Sequence, residues 1–443
     1  MTTNENTAPK ATTPKATTRR MRMTRRMATG TLLSGALALG ALAAGGAYFG
    51  TGAQAQSGDE LCPITSGRVS VLANEFDALQ AVVARAGECV GEGAEFSSNL
   101  TAEHKNIQIA ALTANPAEYT SAVVANSSIV PLLNDDLIRP LDDLVAKYGQ
   151  GLQPNQLITV NGKVMAVAFM ANAQHLYFRT DILEQAGVEP PKTYEDVLAA
   201  SKAIKEQGIM DAPFAMVSGA GWNLGEEFVN MYLGMGGEFF EPGSAVPAIN
   251  NERGIAALEM MKALNENAGP DYLTYDSNAV SALWSAGEVA IAQHWGSRAA
   301  SMIGEEETPD IAKVTMLAGA PTVGGNTAPA SSLWWDGFTI AKNISDEDAE
   351  ATFRAMVHGV QPGVLEGNED KAVWLIEGYE PTPAAVGVAE TAAAGAKPYP
   401  MVPYMGLMHT ALGNELTDYL QGNESAEKAL ADVEAAYTTA ARE

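Results

Sequence analysis

Apolar and polar positions along the chain repeat with two periods, one typical of strands and one typical of helices. The run "RVSVLA" (68–73) predicts a strand, and "DALQAVVARAG" (77–87) has the apolar spacing of an amphipathic helix. The runs "NIQIAAL" (106–112) and "TSAVVAN" (120–126) predict further short strands. Because helical patterns lie between and after these runs, the sequence predicts βαβ units, mainly parallel sheets and an α/β fold.

The middle of the chain carries explicit turn and cap signals. "ITVNGKVMAVAF" (158–169) is two β-prone runs joined by Asn161-Gly162, which predicts a hairpin. A strand then leads into a short helix that Gly187 closes, and Thr193 with Asp196 three residues later predicts the start of the next helix. The run "EVAIAQHW" (288–295) predicts a strand within a helix-rich region, and an all-helical tail is expected after "FTIAKN" (338–343).

The first 55 residues differ in kind from the rest. A basic head is followed by an apolar run, "MATGTLLSGALALGALAAGGAYFG" (27–50), and by small residues in "AQAQS" (53–57). This order predicts a secretory signal over residues 1–55, cleaved near Ala55, and a periplasmic mature protein. "TRRMAT" (24–29) resembles a twin-arginine motif, but Ala28 stands where a bulky apolar residue is usual, so twin-arginine and Sec export both stay open.

Charge and cysteine content narrow the classes of function. Residues 1–55 hold seven basic residues and one acid, so the remainder has 20 Lys+Arg against 52 Asp+Glu, a formal charge of −32. Such a surface repels nucleic acid and anionic lipid, which excludes nucleic acid as a partner. Cys62 and Cys89 are the two cysteines, and in an oxidising compartment they predict a disulfide that stabilises by roughly 3 kcal/mol. No spacing of His and Cys predicts a metal or cofactor.

The segment "NGKVMAVAFMANAQHLYFRTDILEQAGVEPPKTYEDVLAASKAI" (161–204) resembles the extracellular solute-binding proteins of carbohydrate-type ABC importers, the family 1 solute-binding proteins. Four more segments resemble that family in the same order, and together they cover nearly all of residues 66–443. They are "LANEFDAL" (72–79), "LIRPLDDLV" (137–145), "LWSAGEVAIAQHWGS" (283–297) and "GNESAEKALADVEAAY" (422–437).

The resemblance implies a two-lobe periplasmic-binding-protein fold with ligand in the interlobe cleft and three hinge crossings. We expect the crossings near Val167–Asn172, Ala292–Gly296 and Ser332–Phe338. The N-lobe would then comprise residues 56–168 and 293–335, and the C-lobe residues 169–292 and 336–443. The implied activity is capture of a sugar by lobe closure and its delivery to a membrane permease, without catalysis. We expect the protein to be a monomer.

Candidate ligand contacts are aromatic and polar residues that match cleft positions of the family. Indoles stack on the apolar C–H faces of sugar rings, while sugar hydroxyls need acids and amides as partners. The candidates are Asn74, Glu75, Asn126, Ser127, Asn172, Trp222, Trp295, Arg298, Trp334, Trp335, Asp336 and Tyr404.

Three of these candidates leave alternatives open. Trp334 and Trp335 are adjacent in a predicted strand and therefore point to opposite faces, so we expect one to stack on ligand and the other to pack. Arg298 is suited to a carboxylate or sulfonate on an acidic sugar, or else forms a surface ion pair. Trp284 and Trp374, in contrast, are expected in the core.

Other functions remain as alternatives to sugar binding. A polyamine or another small polar solute suits a site of acids and aromatics, and a secreted glycoside hydrolase would use paired carboxylates. With so many acids, however, paired carboxylates can always be found. The sequence contains no nucleophile elbow, no His-Glu-x-x-His and no phosphate-binding glycine loop, so it favours a binding protein.

Overall fold

The structure is a computed structural model that describes residues 61–304 and 308–442. The predicted signal segment, residues 1–55, lies outside the described residues. Within the described ranges, every helix is too short or too polar to cross a lipid bilayer.

Twelve strands and fifteen α-helices make up the described chain, joined by loops and short 3-10 turns. The strands are β1 (Arg68–Ala73), β2 (Glu95–Leu100), β3 (Ser121–Ala125), β4 (Leu157–Val160), β5 (Lys163–Asn172), β6 (Gln174–Arg179), β7 (Phe214–Met216), β8 (Ile291–Trp295), β9 (Thr315–Ala318), β10 (Ser332–Phe338), β11 (Val373–Trp374) and β12 (Lys397–Pro398). The helices are α1 (Asp77–Glu88), α2 (His104–Thr113), α3 (Asn126–Asn134), α4 (Asp142–Tyr148), α5 (Thr180–Ala186), α6 (Tyr194–Glu206), α7 (Trp222–Gly234), α8 (Glu252–Asn265), α9 (Ser277–Ser285), α10 (Ala299–Ile303), α11 (Pro309–Ala312), α12 (Asp346–Gly359), α13 (Val386–Ala393), α14 (Met405–Leu420) and α15 (Ala426–Ala440).

The strands form two sheets, and each sheet is the centre of one lobe. The first sheet runs β11-β5-β10-β3-β1-β2, with β4 beside β5 and β12 beside β10. The second runs β7-β8-β6-β9. Helices cover both, with α1 and α12 packed together on the first sheet and α7, α14 and α15 beside the second. The predicted two-lobe α/β fold is confirmed.

The sheets are mixed rather than mainly parallel, which corrects the prediction. In the first sheet β1 pairs in parallel with β2 and β3, but β10 is antiparallel to both β3 and β5. In the second sheet β6 is antiparallel to β8 and β9, and β7 is parallel to β8. The first sheet loses its parallel pattern because β10 enters it from the other lobe, between two strands that run the opposite way.

The local signals in the sequence are confirmed. Asn161 and Gly162 have φ of 50° and 75° and connect the antiparallel pair β4 and β5, as an Asn-Gly hairpin requires. The Thr193 hydroxyl accepts a hydrogen bond from the Asp196 amide at 3.0 Å, and the Asp196 carboxylate accepts one from the Thr193 amide at 3.0 Å. Cys62 and Cys89 form the predicted disulfide.

One predicted strand is a helix. Residues 106–112 lie in α2, whose buried residues are His104, Gln108, Ala111 and Leu112. That spacing follows the helical period, so burial of one helix face overrides the strand preference of the two isoleucines. The tail also differs from the all-helical prediction because Trp374 lies in β11, although it is buried as expected.

The predicted lobe boundaries need a correction at the second crossing. β8 and β9 pair with β6 in the second sheet, so residues 293–331 belong to the second lobe and not the first. β10, α12 and β11 belong to the first lobe, although residues 336–443 were expected in the second. Within the described residues, the chain therefore crosses between β5 and β6, just before β10, and between β11 and α13.

Candidate functional site

The two lobes face each other where several first-sheet strands end. β1 and β3 are parallel neighbours, so the loops that follow them open at the same edge of the sheet. Asn74 and Glu75 follow β1, and Asn126 and Ser127 follow β3. Asp336 pairs with Ala125 at the end of β3, which places β10 at this edge as well.

The crossing between β5 and β6 brings two tryptophans of different strands together. Trp334 of β10 pairs with Asn172 at the end of β5, and Trp295 of β8 pairs with Gln174 at the start of β6. Since only Ala173 separates these two partners, the indoles must approach one another. Their ring centroids are 5.8 Å apart and the rings lie nearly perpendicular, at 84°.

Trp222 completes a tryptophan cluster, which we define as Trp222, Trp295 and Trp334. It begins α7 directly after Gly221, whose φ of 92° allows the chain to turn into the helix. Its ring centroid lies 6.5 Å from that of Trp295 and 5.7 Å from that of Trp334. Trp222 and Trp295 keep partial exposure while Trp334 is buried, so two of the three indoles are accessible at the cleft.

The structure separates the adjacent tryptophans of β10. Trp334 faces the second lobe and the cluster, while Trp335 lies in a separate first-lobe core with Ile129 and Met165. Of the two, Trp334 is therefore the one at the cleft and Trp335 is the one that packs. Trp284 is buried and donates a hydrogen bond to the Thr315 hydroxyl at 3.2 Å, in agreement with its expected core position.

Two buried residues fix the ring of Trp222. His409 stacks on it with centroids 4.8 Å apart, and its Nε2 bonds to the Trp222 carbonyl at 2.8 Å. Because a carbonyl only accepts, Nε2 carries the proton and Nδ1 accepts from the Tyr399 hydroxyl at 2.8 Å. Burial lowers the pKa of His409 to about 4, which keeps the ring neutral at neutral pH.

One face of β10 carries the polar groups of the cleft. Ser332, Trp334 and Asp336 are two residues apart and so share a face. Glu226 of α7 is fully buried, and its Oε1 accepts hydrogen bonds from the Ser332 hydroxyl at 2.7 Å and from Trp334 Nε1 at 3.1 Å. Burial raises the pKa of Glu226 to about 8 and that of Asp336 to about 7.

A lysine of the first lobe reaches this face. The Nζ of Lys105, near the start of α2, lies 3.5 Å from the centroid of the Trp222 ring in the second lobe. Burial lowers the pKa of Lys105 to about 8, while the negative charges of Asp336 and Glu226 act in the opposite direction. The lysine thus joins the two lobes across the cleft.

Two of the three predicted asparagines, Asn126 and Asn172, hold the backbone near the crossings. Asn126 Oδ1 accepts a hydrogen bond from the Trp335 amide at 2.9 Å, and its Nδ2 donates to the Leu333 carbonyl at 3.2 Å. Asn172 accepts from the Ala173 and Ser297 amides at 3.0 and 3.1 Å. Both side chains are buried, so these contacts give each a structural role beside the predicted one.

The other predicted polar residues differ in exposure. Asn74 Oδ1 accepts from the Glu75 amide at 2.8 Å, and Glu75 is exposed. The Ser127 hydroxyl is buried and has no hydrogen-bond partner among the described residues. Arg298 lies in a 3-10 turn after β8, where burial lowers its pKa and the charges of Asp77, Asp276 and Glu75 oppose that change.

Tyr404 lies apart from the tryptophan cluster. Its ring contacts Phe240 edge-on with centroids 4.5 Å apart, and its hydroxyl donates to the Ser244 carbonyl at 2.7 Å. These contacts place the side chain on the second lobe's own core. The neighbouring Pro403 carbonyl accepts a hydrogen bond from Asn134 of the first lobe at 3.0 Å, so the loop still touches both lobes.

Four residues of the site were not predicted from sequence: Lys105, Glu226, Tyr399 and His409. Glu226 and Glu227 form an acid pair inside the apolar run "LGEEFVNMYLG", and such a pair is a signal that can be found in the sequence. Lys105 carries no such signal, because it stands alone just before the run 106–112 that predicts a strand. Tyr399 and His409 lie more than 60 residues after the end of β10. Only the tertiary fold places His409 against Trp222 and Tyr399 against His409.

Among the described residues, the candidate metal ligands and a large surface hollow lie outside the tryptophan cluster. Cys62, Cys89 and His358 lie close enough together to hold an ion, but the two thiols are bonded to each other. A hollow of about 550 Å³ lined by Glu195, Arg253 and other residues lies on the second lobe. It contains none of the predicted residues.

The model of a family described as bacterial extracellular solute-binding protein matches residues 77–357. This match covers more than half of the chain, and the chain belongs to that family.

Curated relatives and solved structures agree with this assignment. The chain is 28% identical over 213 residues to a probable ABC transporter-binding protein of Deinococcus radiodurans, covering 46% of this chain and 48% of that protein. It is also 30% identical over 82 residues to an uncharacterised ABC transporter extracellular-binding protein of Pyrococcus horikoshii, covering 18% and 20%. The matches thus span about half the length of the first curated relative and a fifth of the second.

Two solved structures share the fold. The maltose-bound protein MalE3 of T. maritima has a TM-score of 0.72 at 16% identity, with 84% of this chain and 99% of that chain covered. A solute-binding protein of Agrobacterium radiobacter in complex with ribitol has a TM-score of 0.74 at 18% identity, with 84% and 98% covered. At these identities the similarity concerns the fold.

Proposed function

We propose that the protein captures a sugar or sugar derivative in the periplasm and delivers it to the permease of an ABC importer. The observation that carries this proposal is the tryptophan cluster between the lobes, with carboxylates beside it. Indole faces match the apolar faces of a pyranose ring, and Asp336, Glu226 and Ser127 offer partners for its hydroxyls. Structures of similar fold hold maltose and ribitol, which is consistent with this ligand class.

The mechanism we propose is lobe closure without chemistry. Ligand contacts both lobes at once, through Trp222 and Trp295 on the second and Asn74, Ser127 and Asp336 on the first. It therefore binds the closed form better than the open form and shifts the population toward closure. The closed protein, as a monomer, is then the form that the permease recognises.

The test is thermal unfolding and tryptophan fluorescence of the purified protein against neutral sugars, polyols, uronic and sulfonated sugars, and polyamines. A ligand at 100 times its dissociation constant adds about 2.7 kcal/mol of stability, which raises the melting temperature measurably. Trp222→Ala should weaken a sugar by roughly tenfold or more, because a stacked aromatic anchor contributes 1–2 kcal/mol. Trp284→Phe is the control, since Trp284 is buried and its indole is bonded to the Thr315 hydroxyl.

Each outcome of this panel has a distinct meaning. A shift with sugars that Trp222→Ala abolishes supports the proposal. A shift with uronic or sulfonated sugars alone makes the ligand an acidic sugar and gives Arg298 a role in specificity. Cleavage of oligosaccharides during incubation contradicts the proposal, as does the absence of a shift with every sugar and polyol.

A further inference from the structure

The ammonium group of Lys105 lies in a site built for a cation. Its Nζ is 3.5 Å from the centroid of the Trp222 ring, within the range at which an aromatic face attracts a cation. The charges of Asp336 and Glu226 act on it as well, one from each lobe. An aromatic face with carboxylates beside it is the arrangement by which proteins recognise alkylammonium groups.

Glu226 has capacity left for such a group. Its Oε1 accepts hydrogen bonds from Ser332 and Trp334, while its Oε2 has no partner among the described residues although the side chain is fully buried. An unpaired buried carboxylate oxygen is costly unless a donor or a proton satisfies it. A ligand with N–H donors at this place supplies that partner.

Charge balance then limits which ligands can replace the lysine. A neutral ligand that displaces Lys105 from Trp222 leaves the half-buried Asp336 carboxylate, and any negative charge on the buried Glu226, without a counter-charge, which is unfavourable in a low-dielectric cleft. A ligand that carries its own ammonium group leaves the charge of the site unchanged. We therefore propose that the cleft selects a ligand with a primary ammonium group, which takes the place of the Lys105 ammonium over Trp222.

This inference rests on the proposed capture of a ligand in the cleft and makes its chemistry specific. An amino sugar and a polyamine both carry the required group, and the two sources are separated by experiment. The protonation of Asp336 and Lys105 is compatible with such an exchange. Burial raises the pKa of Asp336 to about 7 and lowers the pKa of Lys105 to about 8.

The experiment is calorimetric titration at pH 7 with matched pairs of ligands. The pairs are glucosamine with glucose, galactosamine with galactose, and chitosan disaccharide with cellobiose, and putrescine and spermidine form a separate arm. We expect the amino member to bind about tenfold or more tightly than its neutral partner, from the added cation–π and charge contacts.

Two variants test the role of each charge. Lys105→Met removes the competing ammonium and should tighten an amino ligand by about fivefold or more, whereas a lysine that contacts the ligand would weaken it on removal. Asp336→Asn should weaken the amino ligand about tenfold and change the neutral partner by less than about threefold. Lys163→Met, at an exposed lysine of the β4–β5 hairpin, is the control for net charge.

The outcomes separate this inference from the proposed function. Tighter binding of the amino members supports both. Equal or tighter binding of the neutral members, or weaker amino binding in Lys105→Met, overturns the ammonium inference and leaves sugar capture standing. Binding of putrescine or spermidine alone supports the ammonium site and overturns the sugar class, and no binding in any arm overturns both.

Discussion

Asn126 offers a direct test of whether a cleft residue is structural. Its side chain is buried and joins α3 to β10 by hydrogen bonds to the Trp335 amide and the Leu333 carbonyl. Asn126→Ala removes both bonds. The amide is buried and loses its partner outright, at a cost of about 1–3 kcal/mol, while the carbonyl is partly accessible to water and loses less. We expect a total loss of about 2–3 kcal/mol in the free energy of unfolding.

Urea unfolding followed by tryptophan fluorescence and circular dichroism measures this loss. Asn134→Ala is the matched control, because it is the same change at the other end of the same helix, where the exposed side chain makes a single solvent-accessible hydrogen bond, to the Pro403 carbonyl. The control should lose less than about 0.5 kcal/mol. Both variants are then titrated with the tightest ligand of the panel.

The reasoning fails if Asn126→Ala is no less stable than Asn134→Ala. In that case the two hydrogen bonds are replaced at no cost, by water or by a shift of β10. Unchanged stability with a large loss of ligand affinity would instead make Asn126 a ligand contact, as its position after β3 first suggested.

Three further predictions concern the disulfide, the buried acid and the packed tryptophan. Replacing Cys62 and Cys89 by Ser together should lower the free energy of unfolding by about 3–3.5 kcal/mol for a loop of 27 residues, and reduction of the wild type should match it in urea titrations. Burial raises the pKa of Glu226 from its ordinary value of 4.5 to about 8. The stability that the protonated side chain contributes is therefore complete below about pH 4.5 and is lost as the pH rises to about 8. The melting temperature of Glu226→Gln minus that of the wild type should therefore grow from about pH 5 to about pH 8, and a constant difference would contradict the burial argument. Trp335→Leu should cost about 2–3 kcal/mol from the cavity it leaves and keep ligand affinity unchanged, and a loss of affinity in this variant would refute its assignment to the core.

The sequence predicted those parts of the site that depend on local rules. Asn161-Gly162 was sufficient for the hairpin because two adjacent residues that tolerate positive φ select that turn. The alternation of a strand was sufficient to send Trp334 and Trp335 to opposite faces. The acidic charge, the lone cysteine pair and the ordered family segments likewise stand in the sequence without reference to any distant residue.

The wrong predictions concern features that depend on which distant segments of the chain pack together. β8 was expected to lead out of its lobe because a strand that ends in Gln-His-Trp-Gly looks the same whether it continues across the hinge or stays. Only its pairing with β6 decides the matter. Residues 106–112 of α2 predict a strand because their isoleucines favour β structure, and only the packing of the helix shows its true period and brings the preceding Lys105 to Trp222.

The sequence by itself determined an acidic α/β protein, because composition, period and turn chemistry act over a few residues, and its resemblance to a family implied the two lobes and their crossings. The tertiary structure alone decided that Trp334 and not Trp335 faces the cleft, and that Lys105 lies over Trp222 beside Glu226 and Asp336. These groups come from both lobes and are more than 100 residues apart for most pairs. Their proximity follows from the pairing of strands across the hinge, which no local pattern encodes.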